Sequence, residues 1–399
     1  MSLQGATLEL EVGDPAHGGS CVAHAPDGRV VFVRHALPGE RVRAIITAEH
    51  ASYLQADAVE VTEPAADRVV APCRYAHAGG CGGCDLQHVS LPAQRRWKAV
   101  VVRDQLRRLA RLDCEVTVEP LPDVDADLPG LGWRSRVGYA VDRSGRAGLH
   151  PYRSRTVLPV EQCLLAHPAI RDGDTLRRDW PGARAVDVAV GADGAVRLTQ
   201  TRRRGRSQVR GPQALRERAG GRWFEVHGFW QVHPAAAQAL ADAVLDALAV
   251  RPGERAVDLY AGAGLFAAVL AAAGADVIAV EGDRAAARDA VANVAGLPVE
   301  VWHGPVAEAL AEPERAALGA TDLVVLDPPR SGARADVVDA IAALRPRAVA
   351  YVACDPAALA RDIALFAASG YRLARLRAFD CFPMTHHVEC LALLTPVDG

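Results

Sequence analysis

The chain has 399 residues, of which 50% are hydrophobic and 23% charged, and its net charge is -3. At roughly one to two hundred residues per domain this length fits two or three domains, and the apolar fraction excludes wholesale disorder. No apolar run reaches the roughly 18 residues that span a bilayer, and the opening MSLQGATLELEVGDP lacks a secretory layout, so a cytoplasmic protein without membrane contact is expected.

Residues 1–62 alternate like short strands, LELEV, RVVFV, RVRAII and ADAVEV, broken by HGGS, PDG and LPGE. Regular spacing with Gly/Pro turns predicts a small barrel. The middle, 63–228, is irregular. It holds a predicted helix near 94–112, with Val102, Leu106 and Leu109 on one face, and several Arg-rich strand-like pieces. Positions 95–111 carry seven Arg/Lys against one acid, and 201–222 carry eight Arg against one. Such stretches are either an electrostatic footprint for nucleic acid or a solvated face. Arginine abundance is partly compositional, since Lys98 is the only lysine.

Nine cysteines in an intracellular chain point to metal or catalysis rather than disulfides. Cys73, Cys81 and Cys84 fall within CRYAHAGGCGGC, and Cys163 stands in LPVEQCLLAHP. One CxxC with two outlying cysteines suits tetrahedral zinc as well as an iron–sulfur cluster.

The last segment, 229–399, changes character at Pro234 and reads as alternating strands and Ala-rich helices. Strands are predicted at 256–260, 276–281, 299–302, 322–327, 348–353, 371–380 and 388–395. Right-handed crossovers then give a mostly parallel sheet covered on both faces. The FPMTHHVE connection is too short for a crossover, so the last strand should run antiparallel. A ligand belongs at the carboxyl ends of such strands.

Four of those ends carry chemistry. Asp258-Leu-Tyr-Ala-Gly-Ala-Gly264 leads into a helix, and its glycines let backbone approach a ligand. Glu281, closing the second strand, is placed to accept both hydroxyls of a ribose. The third glycine of the dinucleotide fingerprint is missing, which favours S-adenosylmethionine over NAD. Asp327-Pro-Pro-Arg330 ends the fourth strand, and Arg330 in place of an aromatic weighs against methylation of an exocyclic amine. A free cysteine is most often a small buried hydrophobe. Cys354, however, closes the fifth strand and faces the crevice, while Glu389 follows Phe382, Pro383 and two histidines. A pyrimidine C5 takes a methyl group once a thiolate has added to C6, and a base must then remove the C5 proton.

The segments VVLDPPRSG (324–332), YVACDPAALARD (351–362), DCFPMTHHVE (380–389) and HGFWQV (227–232) resemble the RNA (uracil-5-)-methyltransferase family. VFVRHALPGERV (31–42) resembles a TRAM domain, an OB-like RNA-binding barrel, and CGGCDLQH (81–88) resembles the cluster-bearing ribosomal-RNA members. The resemblance covers essentially the whole chain. It implies a seven-stranded class I S-adenosylmethionine methyltransferase domain of Rossmann-like α/β fold, an N-terminal TRAM barrel and a central iron–sulfur domain. Carried over by position, Cys354 is the nucleophile and Glu389 the proton acceptor. Gln231, Tyr260, Gly262, Glu281 and Asp327 bind S-adenosylmethionine, Cys73, Cys81, Cys84 and Cys163 hold a [4Fe–4S] cluster, and Phe229 lines the base pocket. The expected partner is RNA, 23S rRNA before tRNA, for a chain acting as a monomer. Departures from the pattern are Ala353 and Asp355 around Cys354, Leu265, Met384 and His233. A carboxylate at Asp355 should disfavour the thiolate unless it points away. An RNA cytosine C5-methyltransferase and an RNA-binding factor without turnover are the rival readings.

Overall fold

Alternation builds the N-terminal lobe. In RVRAIITAE every second residue is buried, which fits a strand with one face on a core and one in water. Six strands form this sheet: β1 (Thr7–Glu11), β2 (Pro15–Ala16), β3 (Ser20–His24), β4 (Val30–Arg34), β5 (Arg41–Glu49) and β6 (Tyr53–Glu63), in the order β1-β5-β6-β4-β3-β2. They wrap around Leu10, Val31, Val33, Val42, Ile46 and Leu54. The computed structural model of the chain describes residues 2–312 and 314–397.

Helix α1 (Leu91–Gln105) lays Trp97 and Val101 onto the same barrel core, then continues as a π-helical turn, Leu106–Ala110. Val102 and Leu106 are buried as expected, but Leu109 is 39% exposed. The wider π turn rotates the following side chains off the predicted face. Lys98, counted in the basic run, is also not on the surface: it is fully buried.

Next come β7 (Val118–Pro120), β8 (Arg136–Val141), β9 (Ala147–Leu149), β10 (Leu158–Pro159), the short helix α2 (Pro168–Arg171), β11 (Ala183–Val190), β12 (Val196–Arg202) and β13 (Gln208–Arg210). All of these strands except β7 make an antiparallel sheet, β10-β9-β8-β11-β12-β13, over a core containing Trp133, Tyr139, Trp180 and Val186. A hairpin of β14 (Leu215–Ala219) and β15 (Arg222–Val226) packs elsewhere: its Ala219, Phe224 and Val226 join the core of the C-terminal lobe.

That lobe holds α3 (Ala236–Leu248), β16 (Arg255–Leu259), α4 (Leu265–Ala272), β17 (Asp276–Glu281), α5 (Arg284–Asn293), β18 (Val299–His303), α6 (Val306–Ala309), α7 (Glu314–Leu318), β19 (Leu323–Leu326), α8 (Arg334–Leu344), β20 (Ala348–Ala353), α9 (Pro356–Ala368), β21 (Tyr371–Asp380) and β22 (Glu389–Pro396). Its sheet order is β18-β17-β16-β19-β20-β22-β21-β7. The central strands β19 and β20 are buried along their whole length, which accounts for their unbroken apolar sequences. β22 runs antiparallel to both β20 and β21, as its short connection requires. To the seven expected strands the fold adds an eighth at the edge, β7, which pairs in parallel with β21. Among the described residues no helix is long and apolar enough to cross a membrane.

Candidate active site and cysteine centre

The carboxyl ends of β16, β17, β19 and β20, which pair in parallel, lie along one edge of the sheet. After β16 the chain turns sharply, with φ of 63° at Tyr260, 56° at Gly262 and 86° at Gly264. A positive φ at a tyrosine is a strained choice, of the kind held only where the surroundings enforce it. Two carboxylates hold this turn. Asp258 Oδ2 accepts the Ala267 N–H at 2.8 Å, at the start of α4, while its Oδ1 is buried with no partner. Glu281 accepts the Gly262 N–H at 2.7 Å and the Asp283 N–H at 2.6 Å. Burial raises the Asp258 carboxyl well above its ordinary range.

Strand register brings Cys354 and Glu389 together. Ala353 of β20 lies opposite Cys390 of β22, so the next residues outward, Cys354 and Glu389, stand side by side at the strand ends. Glu389 is 3% exposed, and its carboxyl makes no hydrogen bond to another described residue. Burial first, then Asp327, raise it far above the usual carboxylate range, and Arg330 pulls it back. The Cys354 thiol is pushed up to about 11 by burial, Glu389 and Asp327, and again Arg330 opposes the rise. Asp327 keeps part of its surface open to the crevice, but burial raises it too. Burial and the neighbouring carboxylates thus disfavour ionisation of both groups, and Arg330 is the cation that favours it.

The segment from Asp380 to Glu389 is clamped from beneath by residues distant in sequence. Lys98 Nζ donates to Asp380 at 2.5 Å and to the Phe382 carbonyl at 3.0 Å. Gln94 accepts the Met384 N–H at 2.7 Å, and Leu86 N–H donates to the Met384 carbonyl at 3.0 Å. Asp85 and His386 meet at 2.6 Å. Arg34 of the barrel reaches Asp85 at 3.4 Å and lies 3.6 Å over the Tyr152 ring. Met384 holds φ of 66° under these contacts.

Cys73, Cys81, Cys84 and Cys163 line a single cavity of about 20 Å³, together with Leu149, Val160 and Leu165. Main-chain N–H groups of Gly83, Leu165 and Ala166 are directed at the sulfurs of Cys81 and Cys163, and Gln87 at that of Cys84. Burial raises the Cys81, Cys84 and Cys163 thiols. Among the described residues no three of these or other ligating side chains form a group able to hold a single metal ion.

The TRAM domain family matches residues 2–59, and the tRNA (Uracil-5-)-methyltransferase family matches 319–397. An uncharacterized RNA methyltransferase of Streptomyces avermitilis is 45% identical, over 98% of this chain and 99% of its own. The 23S rRNA (uracil(1939)-C(5))-methyltransferase RlmD of Halomonas elongata is 36% identical, over 98% and 90%. The chain belongs to the RNA (uracil-5-)-methyltransferase family. The same fold is seen in the Pyrococcus abyssi tRNA (uracil-54, C5)-methyltransferase in complex with S-adenosyl-L-homocysteine, at a TM-score of 0.74 and 21% identity, covering 97% of this chain and 99% of that one.

In this methyltransferase the fold brings Cys354, Glu389, Asp327, Tyr260, Gly262 and Glu281 to one sheet edge. Gln231 is half-buried just before α3 and has no polar partner among the described residues. Phe229 is 73% exposed, two residues ahead of it. Sequence reasoning gave no role to Arg330, although its position directly after the two prolines is the signal that places it at the crevice. Asp355 turns into the N-terminal cap of α9, accepting the Ala358 N–H at 2.8 Å, although its charge still raises the Cys354 thiol.

Proposed function

We propose that this enzyme methylates C5 of a uridine in 23S rRNA, with Cys354 adding to C6 and Glu389 accepting the C5 proton. The observation that carries this reading is the register of β20 against β22, which stands the thiol and the carboxyl side by side. Cys354 and Glu389 each release a proton to solvent on the way to the reactive state, and the thiolate forms a bond to C6. C5 then becomes nucleophilic, and S-adenosylmethionine, when bound, supplies the electrophilic methyl group. Ionised Glu389 removes the C5 proton, the C6–S bond breaks, and the thiolate is restored. The target base must be unstacked to reach this crevice.

Gln231, Tyr260, Gly262, Glu281 and Asp327 would bind the methyl donor: Glu281 already holds two N–H groups where a ribose would offer hydroxyls. Phe229 is exposed on the approach and would stack on the incoming base. Cys73, Cys81, Cys84 and Cys163 fit a [4Fe–4S] cluster better than zinc. Four thiols line one apolar cavity, and the likeness of CGGCDLQH (81–88) to the cluster-bearing ribosomal-RNA members favours the cluster over a single zinc ion. The cluster would be structural, shaping the middle segment that grips RNA. The working division of labour is 1–62 for RNA binding, 63–228 for the cluster and RNA, and 229–399 for methyl transfer, in a cytoplasmic enzyme.

The test is transfer from labelled S-adenosylmethionine to unmodified ribosomal and transfer RNA by anaerobically prepared wild type and Cys354→Ala, followed by nucleoside analysis. The expected result is 5-methyluridine in 23S rRNA from the wild type alone. Product only in tRNA would reassign the substrate, and product from Cys354→Ala would end the covalent mechanism.

A further inference from the structure

We infer that His17, on the barrel turn between β2 and β3, is a positioning residue for the nucleophile: it holds the Asp355 carboxylate in the cap of α9 and offsets its charge beside Cys354. The inference rests on the proposed role of Cys354. Asp355 follows that cysteine directly. One of its oxygens accepts the Ala358 N–H at 2.8 Å, and the other faces His17 Nε2 at 3.4 Å, across the boundary between barrel and catalytic lobe. The two side chains are 24% and 40% exposed, so solvent weakens the pair without abolishing it.

The turn that carries His17 is seated, not loose. Gly18 and Gly19 have φ of 93° and 82°, and a Cβ on Gly19 would come within 2.9 Å of Asp85 and 3.2 Å of His386. Only glycine lets the barrel backbone approach the catalytic loop this closely. The turn is thereby held against the loop that carries His386, and from it the imidazole reaches Asp355 at the start of α9.

Charges on every side bear on this pair. Toward the crevice, Cys354 feels Glu389, Asp327 and Arg330 besides Asp355. On the other side a groove of about 540 Å³ between barrel and α1 presents Asp14, Arg103, Asp104, Arg107 and Arg108. Arg107 and Arg108 each bind Asp104 at 2.9 Å, and among the described residues the ion pair made by Asp355 is with His17. Burial alone would raise the Asp355 carboxyl, yet the His17 contact and the cap outweigh it and lower it. An ionised carboxylate one residue from the nucleophile opposes thiolate formation, and a protonated imidazole at ion-pair distance cancels part of that opposition. A barrel residue thus sets the acidity of a thiol in another lobe.

The test follows iodoacetamide alkylation of Cys354, read on its own peptide by mass spectrometry, against pH. It uses full-length, anaerobically purified wild type, His17→Ala, His17→Gln, Asp355→Asn and the His17→Ala/Asp355→Asn double variant. At pH 6.5 alkylation should slow about two- to fivefold in both His17 variants, the range of a partly exposed ion pair, and recover fully in the double variant. An unchanged Cys354 profile in His17→Ala would overturn the inference. So would a slowing that Asp355→Asn fails to relieve, or a lowered melting temperature with the profile unmoved. Methylation by wild type and Cys354→Ala, measured in parallel, tests the nucleophile assignment separately, because the alkylation profile needs no turnover.

Discussion

The methyl-transfer crevice and the cysteine centre are built by opposite means. In the crevice each functional side chain closes a strand: Asp327 after β19, Cys354 after β20, Glu281 at the end of β17 and Glu389 at the start of β22. Ladder hydrogen bonds fix their separations, and the buried strands leave little room for slippage. The four cysteines instead sit in chain with almost no regular structure, where the local ladder is reduced to isolated pairings such as Cys81 with Pro151. A site on strands holds its geometry through the backbone, whereas one on loops needs a covalent or metal staple. The loop between β21 and β22 touches both regions, through Glu389 on one side and the Asp85–His386 contact on the other.

If this contrast is right, removing one cysteine ligand should damage structure far more than removing a catalytic group. Cys163→Ala is expected to lose bound iron and sulfide and about 5 kcal/mol or more of stability, measured by metal analysis and denaturant melting. An intact iron content in that variant would break the comparison. The next largest effect belongs to the clamp between the regions. Lys98→Met leaves Asp380 buried without its cation and should cost about 3–5 kcal/mol. Adding Asp380→Leu should restore most of that loss, because two apolar groups need no partner. Burial lowers the Lys98 ammonium despite its pairing with Asp380, which marks the site as one where desolvation dominates.

Glu389→Gln separates function from stability within the crevice itself. Turnover should fall about 10²- to 10⁴-fold, the usual share of a general base. Stability should move the other way. Burial holds the folded carboxyl above the ordinary value of 4.5, so between those two values the folded state binds more protons than the unfolded one. Wild-type stability is therefore fullest below pH 4.5 and falls as pH rises through the folded pKa. Glutamine has no such slope. The two proteins should melt alike near pH 4, and the variant should gain about 1–3 kcal/mol at neutral pH, the desolvation cost of an unpaired buried group. Equal pH slopes would show that the carboxyl is not held protonated.

The contrast also explains what the sequence made legible. Apolar runs such as AVAYVA and LVVL announce buried strands, and a polar residue closing each run announces a site, so Cys354, Asp327 and Glu281 could be placed from local pattern. The short connection before β22 even gave its direction. Non-local pairings left no such trace. β3 lies directly behind the His-Gly-Gly turn and reads as part of it, while β7 is three residues long and joins a sheet whose other strands are over a hundred residues away. Lys98 sat in a run of arginines, and nothing nearby in sequence signals that Asp380 would bury it. His17 and Asp355 are likewise separated by most of the chain.

The smallest predicted effect tests how a periodic pattern can mislead. Val102, Leu106 and Leu109 have helical spacing, and on an unbroken α-helix all three would face the core. The chain changes to a π turn at Leu106, so one more residue is accommodated per turn and Leu109 swings outward. Leu106 is 1% exposed and Leu109 is 39% exposed. Leu106→Ala should then cost about 2–5 kcal/mol, as core truncations do. Leu109→Ala should stay within about 0.5 kcal/mol, as surface substitutions do. Chemical denaturation of the two variants reads the difference directly. Equal losses would mean that the regular helix predicted from sequence persists through Ala110, and that the π turn does not set this face.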